Sequence, residues 1–323
     1  MVTGGPELAA RFTDRMGRAA SRDAAVAFAV RWRETMPLGG VARALDALDR
    51  PSAETVAALI RPLLDDIGWI DEAIAALVGA LRRDPFFEPP FAPVRSDVQT
   101  GLTLYAGRHA AIVLEVGALD RLAAKKRRAG GGSIGFPGCA TLTRAIDGGG
   151  ATLSLWQGGW RAGGGRDDRP MASCEAAGRR RWQDGDLLEL DAGTSFLVEH
   201  ARRDMVLLHA TIFAGVAPTS CEYDRETLCL RAIGASSERA SRVQMLTTLL
   251  GAIGRDDPAA FGAASRAAEP HVRWHAMREW LALDVDAAAP RLAEMAASDP
   301  DVELRGLARR TMTLIEVPVA CRA

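Results

Sequence analysis

The chain has 323 residues, is 48% hydrophobic and 25% charged, and carries a net charge of -1. That length allows two or three compact units, and the balanced charge excludes binding of polyanions by bulk electrostatics. The five cysteines (Cys139, Cys174, Cys221, Cys229 and Cys321) are scattered without a CxxC pair, which points away from a disulfide framework or a structural zinc cluster.

The first residues, MVTGGPELAARFTDRM, lack the apolar stretch of a signal peptide, and no run of 18 apolar residues occurs. The expectation is a cytoplasmic protein that does not enter a membrane. Residues 1–83 read as an N-terminal helical segment: AAVAFAVRW (24–32), VARALDAL (41–48), ETVAALIRPLL (54–64) and IDEAIAALVGAL (70–81) place apolar residues at helical spacing. Ser52 is positioned to cap the third of these, and Asp84-Pro85 stops the fourth. Residues 84–97 read as a Pro/Phe-rich linker. Its three aromatic residues, Phe86, Phe87 and Phe91, imply that it packs on a neighbour.

From 98 to 235 the period changes to two. LTLYA, AAIVLEV, SIGFPG, ATLTRAI, ATLSLW, LLELD, SFLVEH, MVLLHATIF and LCLRA are short strand-like runs separated by glycine-rich or charged turns. This spacing predicts a β-sandwich or jelly roll. Residues 236–323 turn helical again. VRWHAMREWL (272–281) and LRGLARRTMT (304–313) align at a 32-residue offset, Arg273 with Arg305 and Ala276 with Ala308, each after an acidic-Pro pair. The pattern resembles a HEAT-type repeat and implies a helical pair at this end. The fold class expected is therefore multi-segment α+β, with a central β-sandwich or jelly roll between N-terminal helices and a HEAT-like C-terminal pair.

The middle segment resembles the cupin superfamily. Gly185 and Gly193 fall at the glycine positions of the second cupin motif, Asp191 takes its proline place, Phe196 its histidine place and His200 its asparagine place. No HxH occurs, and the first-motif ligand positions fall near 123–127, Ala-Ala-Lys-Lys-Arg, with the expected Glu near Gly130–Gly132. The resemblance therefore implies a cupin barrel without its metal ligands. A hairpin turn at 201–204 would set His200 opposite Met205 and Phe196 opposite His209. The two histidines would then stand about 13 Å apart along the ladder, too far to share one ion.

Several residues are candidates for a ligand site. Lys125, Lys126, Arg127 and Arg128, ahead of a glycine run, would receive an anion; the bland alternative is a solvated basic loop. Phe196, His200, His209 and Trp156 would line a barrel pocket, although aromatic residues in such strands are more often core. If the protein is an enzyme, His200, His209, Glu199 and Tyr223 are the candidate acid–base groups. His271, His275 and Glu279 form a stripe on one helix that reads better as the edge of a packed face than as a zinc site. Cys221 reads better as a small buried residue than as a nucleophile.

The reading that fits these features is a metal-free, cupin-like binding protein. It would hold a small, anionic if so attracted, molecule or a peptide, with no cofactor, and its helical flanks would serve a protein partner or a second copy. Nucleic acid is disfavoured because no aromatic residues interleave the basic run. The alternative is an atypical cupin enzyme, either an oxygenase using Fe or Zn or a metal-free isomerase or lyase.

Overall fold

The computed structural model describes residues 15–84, 86–96, 98–122, 132–160, 170–217, 219–235 and 238–316. The basic run Lys125–Arg128 and the first-motif positions 123–127 lie outside these residues. The protein is α+β with antiparallel sheets, and its chain divides into two compact units. One comprises Met1–Ala217 with Cys221–Ala232, and the other Pro218–Ser220 with Ile233–Ala323. No helix among the described residues is long and apolar enough to cross a membrane.

In the first unit four helices precede the strands: α1 (Arg15–Thr35), α2 (Pro37–Asp46), α3 (Ala53–Asp65) and α4 (Gly68–Arg83). Their limits follow from local chemistry. The Ser52 hydroxyl accepts a hydrogen bond from the Thr55 N–H at 3.1 Å, satisfying one of the orphan donors that open α3. Asp84 takes an extended conformation and ends α4. The aromatic residues that follow pack back onto α1: Phe87 meets Phe28 edge-on at 5.5 Å, and Phe91 meets Trp32 at 4.8 Å.

The strands are β1 (Ala92–Arg95), β2 (Gln99–Ala106), β3 (Ala110–Gly117), β4 (Ser133–Phe136), β5 (Ala140–Asp147), β6 (Thr152–Gln157), β7 (Glu175–Arg181), β8 (Leu187–Leu190), β9 (Thr194–His200), β10 (Met205–Ile212), β11 (Thr219–Asp224) and β12 (Leu230–Ala235). Six of them form a sheet in the order β1-β2-β3-β10-β5-β8, and the others form two three-stranded sheets, β12-β11-β4 and β7-β6-β9. The short edge strand β1 lies inside the Pro/Phe-rich stretch. Gly185 has φ +84°, which favours glycine, and a Cβ on Gly193 would meet the Trp160 carbonyl oxygen at 2.7 Å. The two motif glycines thus serve turns and close approach.

Alternation along the six-stranded sheet gives it two different faces. Ala110, Ile112, Leu142, Leu208, Ala210 and Ile212 are buried in one core with the four helices. Arg61 of α3 and Glu189 of β8 form a two-pronged ion pair at the sheet's far edge. The opposite face carries Ala145, Leu188 and Leu207. They pack with Leu153, Trp182, Phe196 and Val198 in a second core that joins this sheet to β6 and β9.

The expected hairpin is not formed. β9 pairs with β6, Phe196 opposite Leu155 and Val198 opposite Leu153, whereas β10 pairs with β3 and β5. The residues between them, Ala201–Asp204, carry the chain from one sheet to another. The physical reason is burial. β10 is apolar or enclosed on both faces and takes a central place with two neighbours, a place that a hairpin with β9 would deny it.

The second unit contains α5 (Glu238–Ala252), α6 (Pro258–Ala264), α7 (Pro270–Leu283), α8 (Val285–Ser298) and α9 (Val302–Glu316). Its core gathers Phe261, Met277, Trp280, Leu292, Met295 and Leu304. The two aligned arginines converge on one residue. Arg273 grips Asp299 in a two-pronged pair at 2.7 and 3.0 Å, and Arg305 donates to the Asp299 carbonyl oxygen. Arg273 also donates to the Ala267 and Ala268 carbonyl oxygens at 3.1 and 2.8 Å. Arg273 and Asp299 are 5% and 3% exposed. Burial pushes the Asp299 carboxyl up, but the hydrogen bonds and charge of Arg273 outweigh it and hold Asp299 below the usual carboxylate range. Arg273→Ala would leave that charge buried without its partner, so urea denaturation should show a loss of about 3–5 kcal/mol. Replacing both residues by apolar ones of similar size should recover most of the loss.

Candidate functional site

The face of the six-stranded sheet that looks toward β6 and β9 is apolar at one end and polar further along. His209 stands opposite Val113 on β3 and Thr143 on β5, and Leu207 stands opposite Glu115. Side chains two residues apart share a face, so Thr141, Thr143, His209, Thr211 and Glu115 all project to this side. The register sets Glu115 diagonally across from His209, a neighbour relation spanning about 7–8 Å.

Both ring nitrogens of His209 are engaged. The Thr143 hydroxyl lies 2.8 Å from Nδ1 and the Thr211 hydroxyl 3.2 Å from Nε2. The imidazole is half-buried. Burial pulls its pKa down to about 4, so the ring is neutral at pH 7. Glu115 is 7% exposed, and Gln99 donates its amide to the carboxyl at 3.0 Å. Burial pushes this carboxyl up to about 7. A neutral imidazole, a carboxyl that titrates near neutrality, and threonine hydroxyls form a polar set with little fixed charge.

The opposing wall is apolar. Phe196 and Leu155 face it from adjacent strands, and the Phe196 ring meets Trp182 edge-on at 5.4 Å. Trp182 is 1% exposed, whereas Phe196, Leu155, Val113 and Leu190 are only half-buried. The space between the sheets is filled around Trp182, Leu153 and Leu207.

The other candidates lie elsewhere. His200 is exposed at the end of β9. Glu199 belongs to a chain of contacts in which Trp156 Nε1 donates to Ser154 at 2.9 Å, Ser154 donates to Glu199 at 2.6 Å, and Arg225 pairs with Glu199 at 2.5 Å. Trp156 alternates with Leu155 and so sits on the other face of its sheet, in a third core with Phe136, Cys174, Cys221 and Tyr223. Tyr223 is fully buried there, its hydroxyl donating to the Met171 carbonyl oxygen at 2.7 Å and accepting from the Gly159 N–H at 2.9 Å. Of the residues singled out from sequence, Phe196 belongs to the core on the side of the six-stranded sheet to which His209 projects. His275 lies 3.0 Å from the Thr248 hydroxyl and 4.0 Å from Glu279, in the helical unit.

The sequence reading missed Glu115, Gln99 and the threonines. Their signal was present: Thr141-x-Thr143, His209-x-Thr211 and Glu115 repeat at a spacing of two inside otherwise apolar strands. Both nitrogens of His209 are held by hydroxyls. No group of three His, Cys, Asp or Glu that could hold an ion forms among the described residues.

Two outcomes follow for stability. Phe196→Ala should cost about 2 kcal/mol in urea denaturation, below the 3–5 kcal/mol of a fully packed ring, because Phe196 is only half-buried. The pH dependence tests the paired groups. A His whose folded pKa is depressed contributes stability that is present above pH 6.5 and lost as pH falls toward about 4. A carboxyl whose folded pKa is raised costs stability as pH climbs from 4.5 to about 7. Between pH 4.5 and 6.5 the two slopes oppose each other and the contribution of this site is flat. Glu115→Gln should leave a stability that rises with pH across that window, by on the order of 3 kcal/mol, and His209→Gln one that falls.

No protein-family model matches the chain, and no curated relative matches it. Three solved structures share a distant likeness. An ectoine synthase from P. lautus is 12% identical, with 38% of this chain and 71% of that one covered at a TM-score of 0.23. A cupin superfamily protein from Desulfitobacterium hafniense is 14% identical, with 37% and 81% covered at 0.21. A hydroxypropylphosphonic acid epoxidase from S. wedmorenis is 12% identical, with 50% and 82% covered at 0.24. At TM-scores this low the likenesses carry no weight for the fold or the activity.

Proposed function

We propose that the chain is a cupin-like binding protein that holds a small molecule inside its barrel without a metal. The observation that carries this reading is the polar face of Glu115, Thr143, His209 and Thr211 set against the half-buried ring of Phe196. Ligand sites combine an apolar wall with a few placed hydrogen-bonding groups, and this set suits a compact ligand with hydroxyl or amide groups. The basic run Lys125–Arg128 adds attraction for an acidic group on such a ligand. The helical second unit serves, on this reading, as the surface for a protein partner.

A thermal-shift screen of small polar compounds should find ligands that raise Tm, and His209→Phe should abolish their effect while the protein stays folded. Metal analysis of protein purified without chelator should find less than about a tenth of an equivalent of transition metal. Stoichiometric iron, zinc or manganese in the barrel would move the protein to the oxygenase class. Replacing Lys125, Lys126, Arg127 and Arg128 together with Ser should weaken binding of acidic hits and reduce its dependence on salt.

A second reading, acid–base catalysis as in a metal-free isomerase or lyase, draws on one observation. Glu115 titrates near neutral pH on the same face as a neutral His209, and that is the range in which a general acid or base works best. Turnover of a bound hit, lost in Glu115→Gln with binding retained, would favour it.

A further inference from the structure

We propose a second ligand site in the first unit, between the N-terminal helices and the first two strands, that takes a planar aromatic carboxylate. A cavity of about 560 Å³ opens there, bounded by α1, α2, β1 and β2, and its walls are independent of the barrel residues Glu115 and His209. That volume is within the range of small-molecule sites.

The lining pairs flat apolar surface with unbalanced positive charge. Trp32, Phe91 and Tyr105 supply aromatic walls, Trp32 and Phe91 standing edge to face at 4.8 Å. Arg33 and Arg43 also line the cavity. Arg43 donates to the Arg33 carbonyl oxygen at 3.3 Å, which holds the two residues side by side. Asp46 is the carboxylate in the lining, and it accepts the Tyr105 hydroxyl at 2.8 Å. No ion pair involves Arg33 or Arg43 among the described residues. The lining thus holds two arginines and one carboxylate that already has a donor. Trp32 is 5% exposed, and its buried indole N–H has no acceptor within the described residues.

Guanidinium groups bind carboxylates through paired, charge-assisted hydrogen bonds and stack on aromatic rings. A flat ring laid against Phe91 and Tyr105, with its carboxylate toward the arginines, would meet both demands. An extended peptide adding to the neighbouring edge strand is disfavoured. β1 is four residues long and includes Pro93, which has no N–H to give to an added strand.

The test is calorimetry and heteronuclear NMR on the full chain with 2-naphthoate, with 2-naphthamide as its neutral counterpart. We expect saturable binding of naphthoate that shifts the ring signals of Trp32, Phe91 and Tyr105. Binding of the amide should be weaker by at least about tenfold. The exposed double variant R33Q/R43Q should weaken naphthoate by a similar factor, and R33K/R43K should restore part of it. A42W, which puts a bulky side chain into the cavity, should block binding in a protein of unchanged fold. H209Q should leave it intact, separating this site from the barrel. The proposal is overturned if naphthoate shows no saturable binding up to about 10 mM, if the amide binds equally well, if H209Q rather than A42W removes binding, or if extended peptides perturb the β1 amides while naphthoate does not.

Discussion

The central strand β10 is the constraint on which the first unit depends. It is hydrogen-bonded along its whole length to β3 and along most of it to β5, and no part of it can move without breaking both ladders. Its alternate side chains serve two different interiors. Leu208, Ala210 and Ile212 are enclosed by the helices, while Leu207 joins the barrel core and His209 the polar face beyond it. A slip of one residue would drive a histidine into the helical core and leucine into the polar face, and both penalties fix the register.

This double duty explains how neutral chemistry arises between the sheets. The helices pack on the back of the sheet, so β10 and β3 are desolvated from behind, and the core shared with β6 and β9 covers them from the front. Desolvation is the sole cause of the shifts at both His209 and Glu115. The burial that stabilises the sheet also depresses the imidazole and raises the carboxyl. Fold stability and site electrostatics are here the same effect seen at different atoms.

Much of the architecture was legible in the chain. Helical spacing, the Ser52 cap and the Asp84-Pro85 stop bounded α3 and α4, because those signals act over one turn and do not depend on distant partners. The runs that became β2, β3, β4, β5, β6, β8, β9, β10 and β12 were readable for a similar reason. The partner of each strand was not. Phe196 and His209 were expected to face each other across a hairpin, since neighbours in sequence are usually neighbours in space, but which sheet claims a strand is decided by total burial. β7 gave no signal because its residues, EAAGRRR, are almost all exposed. Tyr223 and Cys221 drew attention as chemistry and proved to be alternate core residues of β11. Glu115, Thr143 and Thr211 escaped notice because a polar side chain at every second position reads as a solvent-facing strand, and a barrel interior carries the same pattern.

The grip of Arg61 on Glu189 also bears on how the protein fails. β8 lies at one end of the six-stranded sheet, and among the described residues no further strand pairs beyond it. Residues Leu187–Leu190 would offer an unfilled row of backbone donors and acceptors to any chain that reached them. The ion pair holds α3 against that border. Partial release of the helices, well short of global unfolding, would uncover a sticky apolar edge and a helical core surface together. Self-association on heating should then begin at the helix–sheet seam, and its onset should follow the lifetime of that seam rather than the melting of the barrel.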